Sequence, residues 1–149
     1  MREITILSRP EAVWYCEGQH SRPRIMISIS DPFLTYRDGP FLTRENNLRE
    51  LLLLTFCDAE EPGPDVYGNM AGPEDLMQIQ DARRIRALLE RHPDCDLIVH
   101  CDAGISRSAG VAAAVTEAEG GDPAGIFDSP YYEPNLHCYR LVLEVLKEK

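Results

Sequence analysis

Lysine is almost missing from this chain. Only Lys147 and Lys149 carry it, the other basic residues are arginines, and 15 cations stand against 25 carboxylates for a formal net charge of −10. Non-specific affinity for nucleic-acid backbones comes from surplus Lys and Arg. No nucleic-acid partner is therefore expected, and any phosphate chemistry must rest on a local concentration of donors. Also lacking is an apolar run long enough to cross a bilayer. The start MREITILSRPEAVWY carries Glu3 and Pro10 and has no basic leader ahead of an apolar segment, so it does not read as a signal peptide. A cytoplasmic protein with no membrane partner is expected. The five cysteines (Cys16, Cys57, Cys95, Cys101, Cys138) are odd in number and scattered, with no CxxC pair, which argues against a disulfide framework. Repeats and low-complexity tracts are lacking too.

What is present fits one domain with one core: 149 residues, 44% hydrophobic and 27% charged. A monomer is expected. Four apolar runs read as strands: ITIL (4–7), IMISIS (25–30), LLLLTF (51–56) and LIV (97–99). Runs without alternation suggest strands covered on both faces. Between them, Leu76, Ile79, Ala82, Ile85 and Leu89 recur at helical spacing, which predicts a helix over 74–91. A second helix is expected from Arg107 to Glu119, stopped by Gly120 and Gly121. A third is expected over about 135–147, capped by Asn135. Segments 58–73 and 120–134 read as irregular. Strands alternating with helices predict an α/β fold, a single layered domain with a mostly parallel central sheet of about four to five strands flanked by helices.

The run HCDAGISRSAG (100–110) carries the chemistry. LIVHC ends a strand, DAGIS is a tight loop, and RSAGVAAAV opens a helix. The N–H groups at a helix start lack intrahelical partners and carry the positive end of the dipole, so a loop over them forms a nest for an oxyanion. Gly104 lets the backbone turn there. Cys101 sits at the mouth of the nest, where the same field favours its thiolate. Arg107 adds a planar fork for two phosphate oxygens. Together these specify attack on a phosphate monoester through a phosphocysteine. Asp102, Ala103, Gly104, Ile105 and Ser106 are the expected substrate-binding residues alongside Arg107. Ser108 is expected to hydrogen-bond the sulfur and ease its departure, and His100 to orient the loop from the protein side. No metal or cofactor is called for.

HCDAGISRS resembles the signature loop of the cysteine-dependent protein tyrosine phosphatases, most closely the dual-specificity branch. EPNLHCYRLV (133–142) is similar to the start of that branch's final helix, and LLLLTFCD to the strand leading to its general-acid loop. The likeness covers roughly residues 51–148. It implies a phosphorylated protein or peptide as substrate, with phosphotyrosine and also phosphoserine or phosphothreonine in reach. It further implies an Asp on a loop that protonates the leaving oxygen and then activates water. Asp58, directly after the strand, is the expected acid, with Asp65, Glu60 and Glu61 as rivals. Two alternatives stand beside this reading: a phosphopeptide-binding pseudophosphatase, and a phosphatase for a phosphoinositide or an RNA 5′ end. The loop's variable positions are not basic, which disfavours polyanions. A redox role lacks a CxxC partner, and a rhodanese-like reading fits the Arg-Ser helix start less well.

Plainer readings apply elsewhere. Cys16, Cys95 and Cys138 read as small buried hydrophobes. Cys57 ends a strand expected to neighbour the one bearing Cys101, so a disulfide with an oxidised Cys101 is weighed against a core cysteine. His92, Cys95, His100 and Cys101 have the ligand types for zinc, yet the strand between them carries the two pairs apart. Arg83, Arg84 and Arg86 read as a solvated helix face. Tyr131 and Tyr132 either line the substrate cleft or pack their loop, and Asn135 reads as a cap and loop brace.

Overall fold

All four apolar runs form strands, and they lie side by side in one sheet. In the computed structural model, which describes residues 2–37 and 45–148, they are β1 (Ile4–Leu7), β2 (Arg24–Ser30), β3 (Leu48–Thr55) and β6 (Asp96–His100). The sheet order is β1-β6-β2-β3 and every pairing is parallel. Leu7 and Ser28 lie level with His100, and Ser30 with Thr55. Parallel strands end along one edge, so Ser8, Asp31, Phe56 and Cys101 all emerge on the same side. That edge is where α/β sheets place their sites.

Alternate residues face opposite sides of a strand, and the core divides accordingly. Ile25, Ile27, Ile29, Leu97 and Val99 pack against α2 (Ile79–Arg91), α3 (Arg107–Ala118) and α5 (Leu136–Leu146). Met26 and Ile98 face the other way onto Ala12 of α1 (Arg9–Glu17). β3 is an edge strand, so its leucine run is not covered on both faces as expected: Leu52 and Leu54 are buried while Leu53 is exposed.

Helix α1 was not anticipated from the sequence. Its apolar residues form no clear stripe, and only Ala12 is buried. Its start is nevertheless written in Ser8 and Glu11, a reciprocal capping box in which Ser8 Oγ accepts the Glu11 N–H at 3.3 Å and Glu11 Oε1 accepts the Ser8 N–H at 2.9 Å. Helix α2 starts at Ile79 rather than at 74. Pro73–Asp75 make a separate 3-10 turn, pinned by Gly72 N–H to Asp75 Oδ2 at 2.9 Å and by Cys57 N–H to the Asp75 carbonyl at 2.8 Å. The segments read as irregular hold some structure. β4 (Gly63–Pro64) and β5 (Met70–Ala71) form a small antiparallel ribbon within 58–73, and α4 (Ala124–Phe127) lies within 120–134. Among the described residues no helix is long and apolar enough to cross a membrane.

Candidate active site

Strand β6 ends at His100 and helix α3 begins at Arg107, so the loop 101–106 spans a strand C-terminus and a helix N-terminus. Gly104 makes its turn possible. Its φ is +71°, and a Cβ there would stand 2.7 Å from the Ser8 backbone nitrogen. Both facts demand glycine. Cys101 is 2% exposed. Its Sγ lies 3.1 Å from Ser108 Oγ and accepts the Gly104 N–H at 3.3 Å. The N–H groups of Ala103, Ile105 and Ser106 have no protein acceptor among the described residues. The loop therefore offers donors around the sulfur, as an oxyanion nest requires.

Arg107 is almost wholly buried, at 1% exposure. Its Nη1 donates to the Phe56 carbonyl at 2.8 Å, its Nη2 reaches Asp102 Oδ2 at 3.3 Å, and its Nε is buried with no partner among the described residues. Burial works against the cation, but Cys101, Asp58 and Asp102 outweigh it and hold its pKa above the ordinary value. A permanent buried cation with an unused donor is poised for an anion.

His100 is fully buried. Its Nδ1 lies 3.2 Å from the Cys101 carbonyl and its Nε2 2.7 Å from Ser28 Oγ. A carbonyl only accepts, so the ring carries its proton on Nδ1 and takes the Ser28 hydroxyl on Nε2. Burial lowers its pKa to about 4, keeping it neutral. His100 thus braces the Cys101 backbone from the protein side. The Asp102 carboxylate is turned onto Arg9 at 3.1 Å, Tyr36 at 2.7 Å and Arg107. The side chain is thus a tie within the protein, and what Asp102 can offer the nest is its backbone N–H.

The chain after β3 brings Asp58 to the loop. Its Oδ1 accepts Ser106 Oγ at 2.8 Å and Asn135 Nδ2 at 2.9 Å. Asn135 also caps α5, its Oδ1 accepting the Cys138 N–H at 3.0 Å, so one side chain serves both purposes read for it. Two rivals also make hydrogen bonds, although Asp65 keeps a buried Oδ2 with no partner among the described residues. Asp65 Oδ1 accepts the N–H groups of Tyr67 and Asn69, both at 2.9 Å, and Glu60 Oε2 accepts the Leu136 N–H at 2.9 Å. Glu61 lines the adjoining cleft without touching the loop. That cleft, of about 640 Å³, is bounded by Asp58, Glu60, Glu61, Asp65, Glu133 and Tyr132 among others. Tyr132 lines it, while Tyr131 stacks edge-on against Tyr132 and is exposed.

The other sequence candidates separate. β2 lies between β3 and β6, so Cys57 does not end a neighbouring strand. It packs instead with Ala59, Ala71 and Leu76. Burial, with Asp65 and Asp75 adding to it, pushes the Cys57 thiol up to about 11, and Cys138 is likewise raised by burial. His92 turns to Glu50 at 2.8 Å, away from His100. Arg83 and Arg84 are exposed, and Arg86 pairs with Glu90 at 2.9 Å. Residues the sequence reading missed are Arg9, Tyr36, Ser28 and the Phe56 carbonyl. Ser8 and Glu11 signal the helix that carries Arg9, but no local pattern signals contacts made across dozens of residues.

No family model and no curated protein matches the chain. Solved structures do. Human DUSP28 is 18% identical, with 97% of this chain and 93% of that chain covered at a TM-score of 0.59. PTPMT1 in complex with PI(5)P is 16% identical over 99% and 94%, at 0.55. Tk-PTP in the active form is 12% identical over 98% and 91%, at 0.53. At these identities the likeness is one of fold: the chain has the α/β architecture of the cysteine-based tyrosine and dual-specificity phosphatases, with its Cys101 loop between β6 and α3.

Proposed function

We propose that this protein is a phosphomonoester hydrolase that works through a phosphocysteine on Cys101. One observation carries the reading: a buried thiol on the loop leading into α3, 3.1 Å from the Ser108 hydroxyl and 3.3 Å from the Gly104 N–H, is joined by Arg107 at the start of that helix, whose buried Nε has no partner among the described residues. The Cys101 thiolate attacks phosphorus, the P–O bond to the leaving group breaks, and Asp58 gives that oxygen its proton. Water then attacks phosphorus, handing a proton to the Asp58 carboxylate as the S–P bond breaks and phosphate departs. Arg107 and the loop N–H groups hold the equatorial oxygens, whose charge they stabilise in both transition states. Ser108 donates to sulfur as it leaves, and His100 keeps the Cys101 carbonyl in place.

The substrate we infer is a phosphorylated protein or peptide, with phosphotyrosine first. Support comes from the cleft beside Ser106, where five carboxylates stand near the phosphate loop and would repel a polyphosphorylated headgroup or an RNA end. A phosphoinositide remains the second reading because a fold neighbour was solved with PI(5)P. Phosphate release from an aryl phosphate across pH, for wild type and Cys101→Ser, tests the chemistry. A bell-shaped profile abolished by the substitution supports it. Binding of vanadate without any turnover would favour a phosphopeptide-binding module. Phosphotyrosine peptides run against a phosphoinositide then decide the substrate class.

A further inference from the structure

Phosphate recognition by an arginine depends on which edge of the guanidinium is presented, and on a long side chain that edge is costly to fix. In Arg107 it is fixed from two sides. Nη1 is anchored on the Phe56 carbonyl at 2.8 Å, and Nη2 lies 3.3 Å from Asp102 Oδ2. Nη2 carries two hydrogens, so it serves Asp102 with one and retains the other. The Nε–H, which has no partner among the described residues, and this second Nη2–H form the free edge.

Asp102 is itself immobilised. Arg9 Nε donates to its Oδ1 at 3.1 Å, Tyr36 donates its hydroxyl to Oδ2 at 2.7 Å, and the Arg9 N–H holds its backbone carbonyl at 3.1 Å. These partners are tied in turn. Arg9 Nη2 donates to Ser30 Oγ at 2.7 Å and its guanidinium sits 3.8 Å over the Tyr36 ring, while the Tyr36 hydroxyl accepts the Asp31 N–H at 2.9 Å. Burial pushes the Tyr36 pKa up to about 12, so its hydroxyl stays a donor. Arg9 also offsets the charge of Asp102, leaving the cation of Arg107 for an incoming anion.

We propose that Asp102 is a positioning residue: held by Arg9 and Tyr36, its carboxylate locks the Arg107 guanidinium so that the Nε–Nη2 edge faces the phosphate. This rests on the reading of Arg107 as the phosphate ligand. It also makes a prediction of sign. A carboxylate that merely stood near the site would repel phosphate, and its removal would tighten anion binding; a positioning carboxylate weakens binding when removed.

The test is equilibrium binding of orthovanadate to the full chain, with aryl phosphate kinetics alongside. Asp102→Ala should weaken vanadate about tenfold and raise KM more than it lowers kcat. Tyr36→Phe, which removes only the hydroxyl on Oδ2, should shift both in the same direction by less, and should add nothing in the Asp102→Ala background. If Asp102→Ala does not fold, Tyr36→Phe carries the test alone. Unchanged or tighter vanadate binding in a folded Asp102→Ala, or full additivity with Tyr36→Phe, overturns the positioning role alone. A wild type that binds no vanadate, or an Arg107→Ala that binds like wild type, overturns the Arg107 reading and this inference with it.

Discussion

At Ser108 the hydroxyl lies 3.1 Å from the Cys101 sulfur, and the proposed chemistry uses it unequally in the two half-reactions. Attack needs a thiolate that is free to react, whereas breakdown needs a thiolate that is stabilised as it leaves. Ser108→Ala should therefore slow phosphoenzyme breakdown by about 10²-fold and turn linear release of the aryl alcohol into a burst, which stopped-flow absorbance reads directly. Asp58→Asn removes the proton donor while keeping an acceptor for Ser106. It should lower kcat about 10²- to 10⁴-fold with vanadate affinity held near wild type. Equal turnover would move the acid along the loop to Asp65, Glu60 or Glu61. His100 makes a claim about stability instead. Its folded pKa of about 4 lies below the ordinary histidine value, so the unfolded chain binds more protons between the two and stability falls as pH drops from about 6.5 to about 4. The full effect of that shift is roughly 3 kcal/mol. Urea melts of wild type and His100→Asn across this window should show a shallower pH slope in the variant; parallel slopes would contradict the assignment.

At the scale of elements, the site depends on how closely α3 approaches the start of α5. A Cβ on Gly110 would overlap the Asn135 carbonyl oxygen, so the two segments touch backbone to backbone. Gly110→Ala should cost about 1–3 kcal/mol by overpacking. It should also lower kcat, because Asn135 holds Asp58 at 2.9 Å; denaturant melts and kinetics on one preparation check both. Much of this arrangement is legible in the sequence, and the reason is locality. The strand–loop–helix around Cys101 is written in one contiguous run, where apolar residues, Gly104 and the small residues of α3 each act over a few positions. What is not legible is equally specific. The 3-10 turn that stands apart from α2 is held by the Cys57 N–H on the Asp75 carbonyl, a contact no helical periodicity reports. Arg9 and Tyr36 reach the loop only because parallel strands end on one edge, and the strand order that puts β2 between β3 and β6 is not written in any single run.

At the scale of the whole molecule, charge is the dominant feature. A chain with a formal net charge of −10 gathers carboxylates in the cleft beside its one proposed anion site, so attraction for phosphate is confined to Arg107 and the loop while the surroundings favour cations. Phosphotyrosine peptides flanked by arginine should be hydrolysed several-fold faster in kcat/KM than matched peptides flanked by glutamate at low salt. The difference should shrink towards unity near 1 M salt, where the screening length is about 3 Å. Peptides of either charge cleaved alike at low salt would remove the cleft from substrate recognition. The central claim is the covalent intermediate, and it is reached most directly by trapping. Asp58→Asn mixed with an aryl phosphate and denatured within milliseconds in alkaline detergent should carry phosphate on the peptide containing Cys101, identified by mass spectrometry, and Cys101→Ser should carry none. Turnover in wild type with no phosphate on Cys101, or with phosphate on another side chain, would contradict the account.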